Sequence, residues 1–305
     1  MANNNNEMTN SVVIEGILSE VGLERSSYVK DGINHDCVRG EIKVRVVMPV
    51  QQNEEPSELE IPIRFFTKKL TNAGNENPSY TNLCDIIDNA KSIATVGVDE
   101  ADCIRVTGAR VTMQEYYTPD GRLISFPAVN ASFVNIIKRS DMEFKANAEV
   151  EIVVQHMKHV TDKEGIETGA LQIVGATIGY GGYADVIPFV TSNPSYVQAI
   201  EATYSEGDSM KIVARLNFSS RTEKSYEQVA IGEPIERVKT IKISDLVIAS
   251  VAPAELTGQC EDPAFLSQCL NKRTARLEEA KAKANAKKTT ERNKATEQAK
   301  KNLGF

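Results

Sequence analysis

Asn77-Pro78-Ser79-Tyr80 recurs as Asn193-Pro194-Ser195-Tyr196, and the surroundings of the two copies match in the same order. Ile63-Arg64-Phe65-x-Thr67 precedes the first copy, and Ile187-Pro188-Phe189-x-Thr191 precedes the second. Further upstream, Gly40-Glu41-Ile42-Lys43-Val44 resembles Gly169-Ala170-Leu171-Gln172-Ile173. Downstream, Asp102-Cys103-Ile104-Arg105-Val106 resembles Asp208-Ser209-Met210-Lys211-Ile212, and Ser132-Phe133-Val134-Asn135-Ile136 answers to Asp245-Leu246-Val247-Ile248. These collinear blocks make a duplicated domain the simplest account of the chain.

In each copy the Asn-Pro pair reads as a helix start. The Asn side chain can cap a free backbone N–H, and Pro suits the first helical position, where no N–H is needed. After Asn77 the apolar residues Tyr80, Leu83, Cys84, Ile86, Ile87 and Ala90 keep helical spacing to about residue 91. The rest of each copy is strand-like, with short runs of Val, Ile, Phe and Tyr broken by Gly, Pro, Asn and Asp. In the first copy strands are expected over 12–23, 37–49, 59–68, 102–117 and 123–139. A polar loop is expected over 26–36, and Thr118-Pro119-Asp120-Gly121 reads as a turn. In the second, strands are expected over 149–160, 169–179, 183–191, 209–218 and 238–250. The order β-β-β-α-β-β is that of the five-stranded OB barrel. Another small meandering β-domain with one helix would also satisfy it, but a helix at the same place twice favours the barrel. The expected fold class is mainly β: two tandem OB-like five-stranded barrels plus a C-terminal helical tail. The expected divisions are a disordered arm over 1–10, a first domain over 11–145, a second over 146–252, and a charged, mainly helical tail over 253–305.

Composition bounds the function. The chain has 305 residues, 41% of them hydrophobic and 25% charged, as ordinary globular proteins do. No apolar run approaches the length of a membrane span. The Met-Ala-Asn-Asn-Asn-Asn-Glu start lacks the basic and apolar regions of a secretory signal. Five cysteines without a C-x-x-C pair fit a reducing cytoplasm better than a disulfide framework or a zinc cluster. Residues 270–305 carry 11 Lys/Arg and 4 Asp/Glu, a net of +7, whereas 1–269 hold 24 basic against 38 acidic residues, a net of −14. A polyanion must therefore be met by a local groove or by the tail, not by bulk charge.

Enzyme signals are poor, so no catalytic residue, metal ligand or cofactor is nominated. His156-x-x-His159 falls on an expected strand, where residues three apart face opposite sides. The glycine-rich Gly179-Tyr180-Gly181-Gly182-Tyr183 joins two strands and lacks the helix N-terminus of a phosphate cradle. Cys84 and the matched Phe65 and Phe189 read as core. Aromatic and basic residues are the stronger signal. OB barrels bind single strands across strands two and three and the loops beside them, with bases on rings and phosphates on Lys and Arg. In the first copy that surface would draw on Arg39, Lys43, Arg45, Arg64, Lys68 and Lys69, with Tyr28, Lys30, Tyr116, Tyr117 and Arg122 from the loops. Alternation turns Arg39, Glu41, Lys43 and Arg45 away from the barrel. In the second copy the candidates are Tyr180, Tyr183, Lys211, Arg215, Arg221, Lys224 and Tyr226.

The two-barrel plan with a charged C-terminal extension resembles the single-stranded DNA-binding proteins of bacteriophage replication and recombination modules. The resemblance covers about Ser11 to Ser250 as an architecture. It is clearest in Asp102-Cys103-Ile104-Arg105-Val106-Thr107-Gly108, leading to Tyr116-Tyr117-Thr118-Pro119-Asp120-Gly121-Arg122. It implies a cytoplasmic, sequence-tolerant, non-enzymatic protein with single-stranded DNA as partner and replication or recombination proteins met through the tail. Many such proteins end in an acidic tail, whereas this chain ends in Lys300-Lys301-Asn302-Leu303-Gly304-Phe305. The alternative is a structural or assembly protein, such as a phage particle or tail component built from two β-barrels, which the acidic body would suit. The tail is expected to be helical from Asp262-Pro263 and separable from the barrels, because beyond Ala280 nearly every apolar residue is alanine.

Overall fold

The computed structural model describes residues 6–48, 57–118, 120–227 and 235–302, with the side chains of all but 57, 220–242 and 287–302. In the first barrel, β1 (Asn10–Lys30) pairs with β2 (Ile33–Met48), and β2 with β3 (Ser57–Lys68). Next, β3 runs parallel to β5 (Leu123–Ala131), β5 pairs with β4 (Cys103–Tyr117), and β4 closes the ring on β1. The second barrel closes in the same order through β7 (Lys145–Thr161), β8 (Glu167–Gly179), β9 (Tyr183–Thr191), β11 (Ile235–Pro253) and β10 (Ser209–Glu227). A ring of order 1-2-3-5-4 with one parallel contact and a helix after the third strand is the OB barrel. The molecule is thus mainly β, with two OB-like barrels and a C-terminal helix.

The helices start where the Asn-Pro pairs place them. Asn77 accepts from the Ser79 amide at 3.1 Å to open α1 (Pro78–Asn89), which a short α2 (Ile93–Val96) follows, and Asn193 accepts from the Ser195 amide at 3.0 Å to open the matching α3 (Pro194–Thr203). Leu83 and Ile86 of α1 and Val197 and Ile200 of its counterpart close the ends of the barrels. Phe65 and Phe189 lie inside, 3% and 1% exposed.

Antiparallel pairing of β1 with β7, from Asn10↔Val150 to Glu15↔Lys145, joins the two rings into one sheet. Val12, Ile14, Ala146 and Ala148 at this seam belong to a single apolar core that runs through both barrels. Glu15 is buried beside it and is held by Arg105 at 2.7 Å.

Several expectations are revised. The polar loop over 26–36 is instead a long β1–β2 hairpin, closed by Asp31-Gly32 with φ of 52° and 76°. Two positive φ values make the primed turn that matches strand twist. The strand over 123–139 breaks at Ser132 into β5 and β6 (Phe133–Ile137). Here α1 is bonded to the bend: Ser79 Oγ donates to the Ser132 carbonyl at 2.6 Å, and Asn82 bonds both the N–H and the carbonyl of Val134. The arm loses its last residues, since Met8 is 6% exposed and its amide donates to the Ile178 carbonyl.

The tail forms one helix, α4 (Pro263–Asn302), with Asp262 accepting from the Ala264 amide at 2.8 Å. Its first turns are not separable from the barrels. Phe265, Leu266, Cys269 and Leu270 pack with Met8, Val153, Ala176, Ile178 and Ala184 on the outside of the second barrel. Arg273 then reaches the carboxylate of Glu115, which is 3% exposed on β4 of the first barrel. The composition of 280–305 gave no hint of this, because the apolar contacts all lie earlier in the helix.

Candidate nucleic-acid interface

The outer face of the first barrel takes its residues from strand alternation. Leu59, Ile61, Ile63 and Phe65 point inward on β3, so Arg64, Phe66 and Lys68 point outward. Phe66 is 57% exposed. Beside it, the β1–β2 hairpin brings Tyr28 opposite His35, with ring centroids 5.4 Å apart and planes 24° from parallel, and Tyr28 lies 5.7 Å from Phe66. Tyr28, Lys30, His35, Lys68 and Lys69 line a hollow of about 590 Å³ next to these rings. Across the parallel β3–β5 contact, the Arg64 guanidinium lies 5.8 Å from the Phe126 ring. Gln114 is opposite Phe126, and Tyr116, 52% exposed, follows on the same face of β4. Rings and cations thus alternate in a band over five neighbouring strands.

Five other basic candidates of this barrel are neutralised by carboxylates; Lys30 is not among them. Arg39 pairs with Glu24 at 2.9 Å, Lys43 with Glu20 at 2.6 Å, Arg45 with Glu58 at 2.6 Å and Lys69 with Asp36 at 3.3 Å. Glu24 and Glu20 face Arg39 and Lys43 directly across the β1–β2 ladder. The Glu20 hydrogen bond raises the Lys43 ammonium above its usual range. Arg122 in the β4–β5 turn is held by Asp120 at 2.6 Å. Among the described residues Arg64 and Lys68 carry no ion pair, so their charge is available. Phe66 was missed in the sequence, although the Ile61, Ile63, Phe65 alternation already assigned it to the outer face.

The candidates of the second barrel do not form a matching face. Lys211 is paired with Glu149 at 2.5 Å, and Arg215 lies four residues along the same strand. The Arg221, Lys224 and Tyr226 side chains lie outside the described residues. Tyr180 and Tyr183 come together in the short turn between β8 and β9, 67% and 61% exposed. Cations of α4 cover two candidate rings: Arg276 lies 6.0 Å from the Tyr183 centroid, and Lys281 lies 5.9 Å from that of Tyr117. His159 pairs with Glu201 at 2.9 Å.

A chain with two OB barrels, an aromatic and basic face on the first and a helix clasping both belongs, by architecture, with tandem OB-fold proteins. By sequence it belongs to the YorF family, whose model matches residues 9–283. No curated protein matches it in sequence. Among solved structures it resembles the wild-type single-stranded DNA binding protein from Thermus aquaticus, with a TM-score of 0.49 and 10% identity over 83% of this chain and 98% of that one. A deletion mutant of that protein gives 0.45 and 9% over 82% and 96%. A replication protein A heterotrimer bound to ssDNA gives 0.18 and 10% over 87% and 69%.

Proposed function

We propose that the chain is a non-enzymatic, sequence-tolerant single-stranded DNA-binding protein whose main binding face is the outer surface of the first barrel. The observation that carries this is Phe66, an exposed ring between two unpaired cations, Arg64 and Lys68, beside the Tyr28 and His35 pair. Bases have π-faces whatever their identity, so a row of rings flanked by cations holds a strand without reading its sequence. The ion-paired residues do not oppose this. Exposed pairs such as Arg39–Glu24 contribute about 0–1 kcal/mol, so a phosphate can take the cation at little cost. The setting we propose is cytoplasmic replication or recombination of the bacteriophage type, with replication or recombination proteins met through the tail. What supports it is the two-barrel plan with its charged C-terminal helix.

Titration of a labelled oligo-dT by fluorescence anisotropy tests the proposal. Binding at micromolar protein or below is expected at low salt, weakening as salt rises because phosphate contacts release counterions. No binding at micromolar protein and low salt would overturn it. The second reading, a structural or assembly component, is favoured by the carboxylates that neutralise Arg39, Lys43 and Arg45. It requires self-association without oligo-dT binding, which sedimentation of the free chain would reveal.

A further inference from the structure

A cleft of about 630 Å³ opens between the two barrels. The first barrel gives Arg110 and Thr112 on β4 and Asn10 at the start of β1; the second gives Thr177, Tyr180 and Tyr183. The seam itself makes the cleft. Past Ala109, β4 no longer pairs with β1, and its free edge is taken up by side chains. Asn10 bonds the Val111 N–H and carbonyl at 2.9 and 2.8 Å, and Asp185 accepts from the Met113 amide at 3.2 Å.

Three features mark it as a site and not as loose packing. The β8–β9 turn holds Gly181 and Gly182 at φ 72°, which fixes the backbone that presents Tyr180 and Tyr183 to solvent. Arg110 lines the opposite wall, and among the described residues it has no ion pair, unlike Arg105 beside it, which is bound to Glu15. Thr177 is 2% exposed, and its hydroxyl has no hydrogen-bond partner among the described residues. A buried polar group left so is costly, and a bound polar edge would recover that cost. Two aromatic faces, a free cation and an unsatisfied hydroxyl are the complement of one nucleotide: base, phosphate and base edge. The volume lies in the range of sites for ligands of that size.

We infer that this cleft holds one nucleotide of the bound single strand, its base against Tyr180 and Tyr183 and its phosphate on Arg110. The inference rests on the single-strand reading above and adds a second contact, away from the Phe66 face. Arg276 already covers one face of Tyr183, so α4 supports that ring from behind while the base takes the open side. Burial pushes the Asp185 carboxyl up, towards the form that can donate a hydrogen bond at the cleft floor.

The test is photo-crosslinking of the full chain to an oligo-dT of about 20 nucleotides carrying 5-iododeoxyuridine, with adducts mapped by mass spectrometry. Adducts are expected on Tyr180 or Tyr183 as well as on the Tyr28 and Phe66 peptides. Arg110→Gln, a change at an exposed and unpaired side chain, should weaken binding of the oligonucleotide roughly fivefold or more and remove the Tyr180 and Tyr183 adducts alone. Binding with adducts only on the first barrel, unchanged by Arg110→Gln, overturns the cleft and leaves the proposed function standing. Adducts in the cleft from iodo-dUMP but not from the oligonucleotide also overturn it, making this a mononucleotide site. Failure of the wild-type chain to bind at all overturns both readings.

Discussion

Phe66 and Asp185 show how much a single position decides in this molecule. Phe66 contributes little stability where it stands, because its ring stays mostly exposed on folding. Its replacement should therefore damage binding and spare the fold. Phe66→Ala is expected to weaken oligo-dT binding by about 1–3 kcal/mol, with a melting temperature within a few degrees of wild type. Equal loss from Phe65→Ala and Phe66→Ala, with both chains destabilised, would mean the ring packs and does not stack. Asp185 is the reverse case, a group whose ionised form the fold penalises. Burial raises its carboxyl pKa, opposed by the Met113 amide and by Arg276 and Arg273. A carboxyl raised in the folded state costs stability once pH exceeds its unfolded value of about 3.9, and the cost grows until the folded group also ionises. Asp185→Asn should keep the bond to Met113 and raise the melting temperature at pH 8, with the gain vanishing towards pH 3. A gain that persists at low pH would assign the effect to something other than ionisation.

At the scale of elements, what could be read in the chain was whatever its near neighbours in sequence determine. The Asn caps, the Pro at the first helical position and the alternation of β2 and β3 are local, and the structure has them where expected. Asn77→Ala removes the bond to the Ser79 amide and should cost about 1 kcal/mol, a fall of roughly 2–4 °C in thermal unfolding followed by circular dichroism. No change would show that the Ser79–Ser132 and Asn82–Val134 bonds hold α1 without its cap. The Asp31-Gly32 turn is equally local. The polar run around it read as loop, although Asp-Gly is among the strongest hairpin signals. The ion pairs were not local. That Glu24 faces Arg39 depends on a register set by this turn, so reading a loop there hid the neutralised charges of the strand face.

The clasp of the tail over both barrels belongs to the whole molecule, and it was the least legible feature. Glu115 and Arg273 are 158 residues apart in sequence, and nothing near either one signals the other. Once joined, Glu115 is 3% exposed and Arg273 18%, so the pair is buried at the contact between the first barrel and the helix. Removing one member of such a pair strands the other charge, at up to about 3–5 kcal/mol; losing Arg273 costs less than that, because Arg276 also lies 3.8 Å from Glu115. The apolar contacts of Leu266 and Cys269, with Phe265 and Leu270 partly buried beside them, add to this on the second barrel, at less than the roughly 1.5–3 kcal/mol of a large side chain fully buried for each. Two truncations should therefore behave differently. Ending the chain at Gly258 removes the contacts on both barrels and uncovers Ala176, Ile178, Ala184 and the Glu115 carboxylate. Its melting temperature is expected to fall by roughly 10 °C or more. Ending it at Lys287 keeps every one of those contacts while removing Lys288, Arg292, Lys294, Lys300 and Lys301. That chain should melt within about 2 °C of wild type, yet show a shallower dependence of oligo-dT affinity on salt, because fewer cations are there to displace counterions. If the shorter chain melts like wild type, the clasp does not stabilise the fold. If the longer one keeps the full salt slope, the end of the tail does not touch the strand.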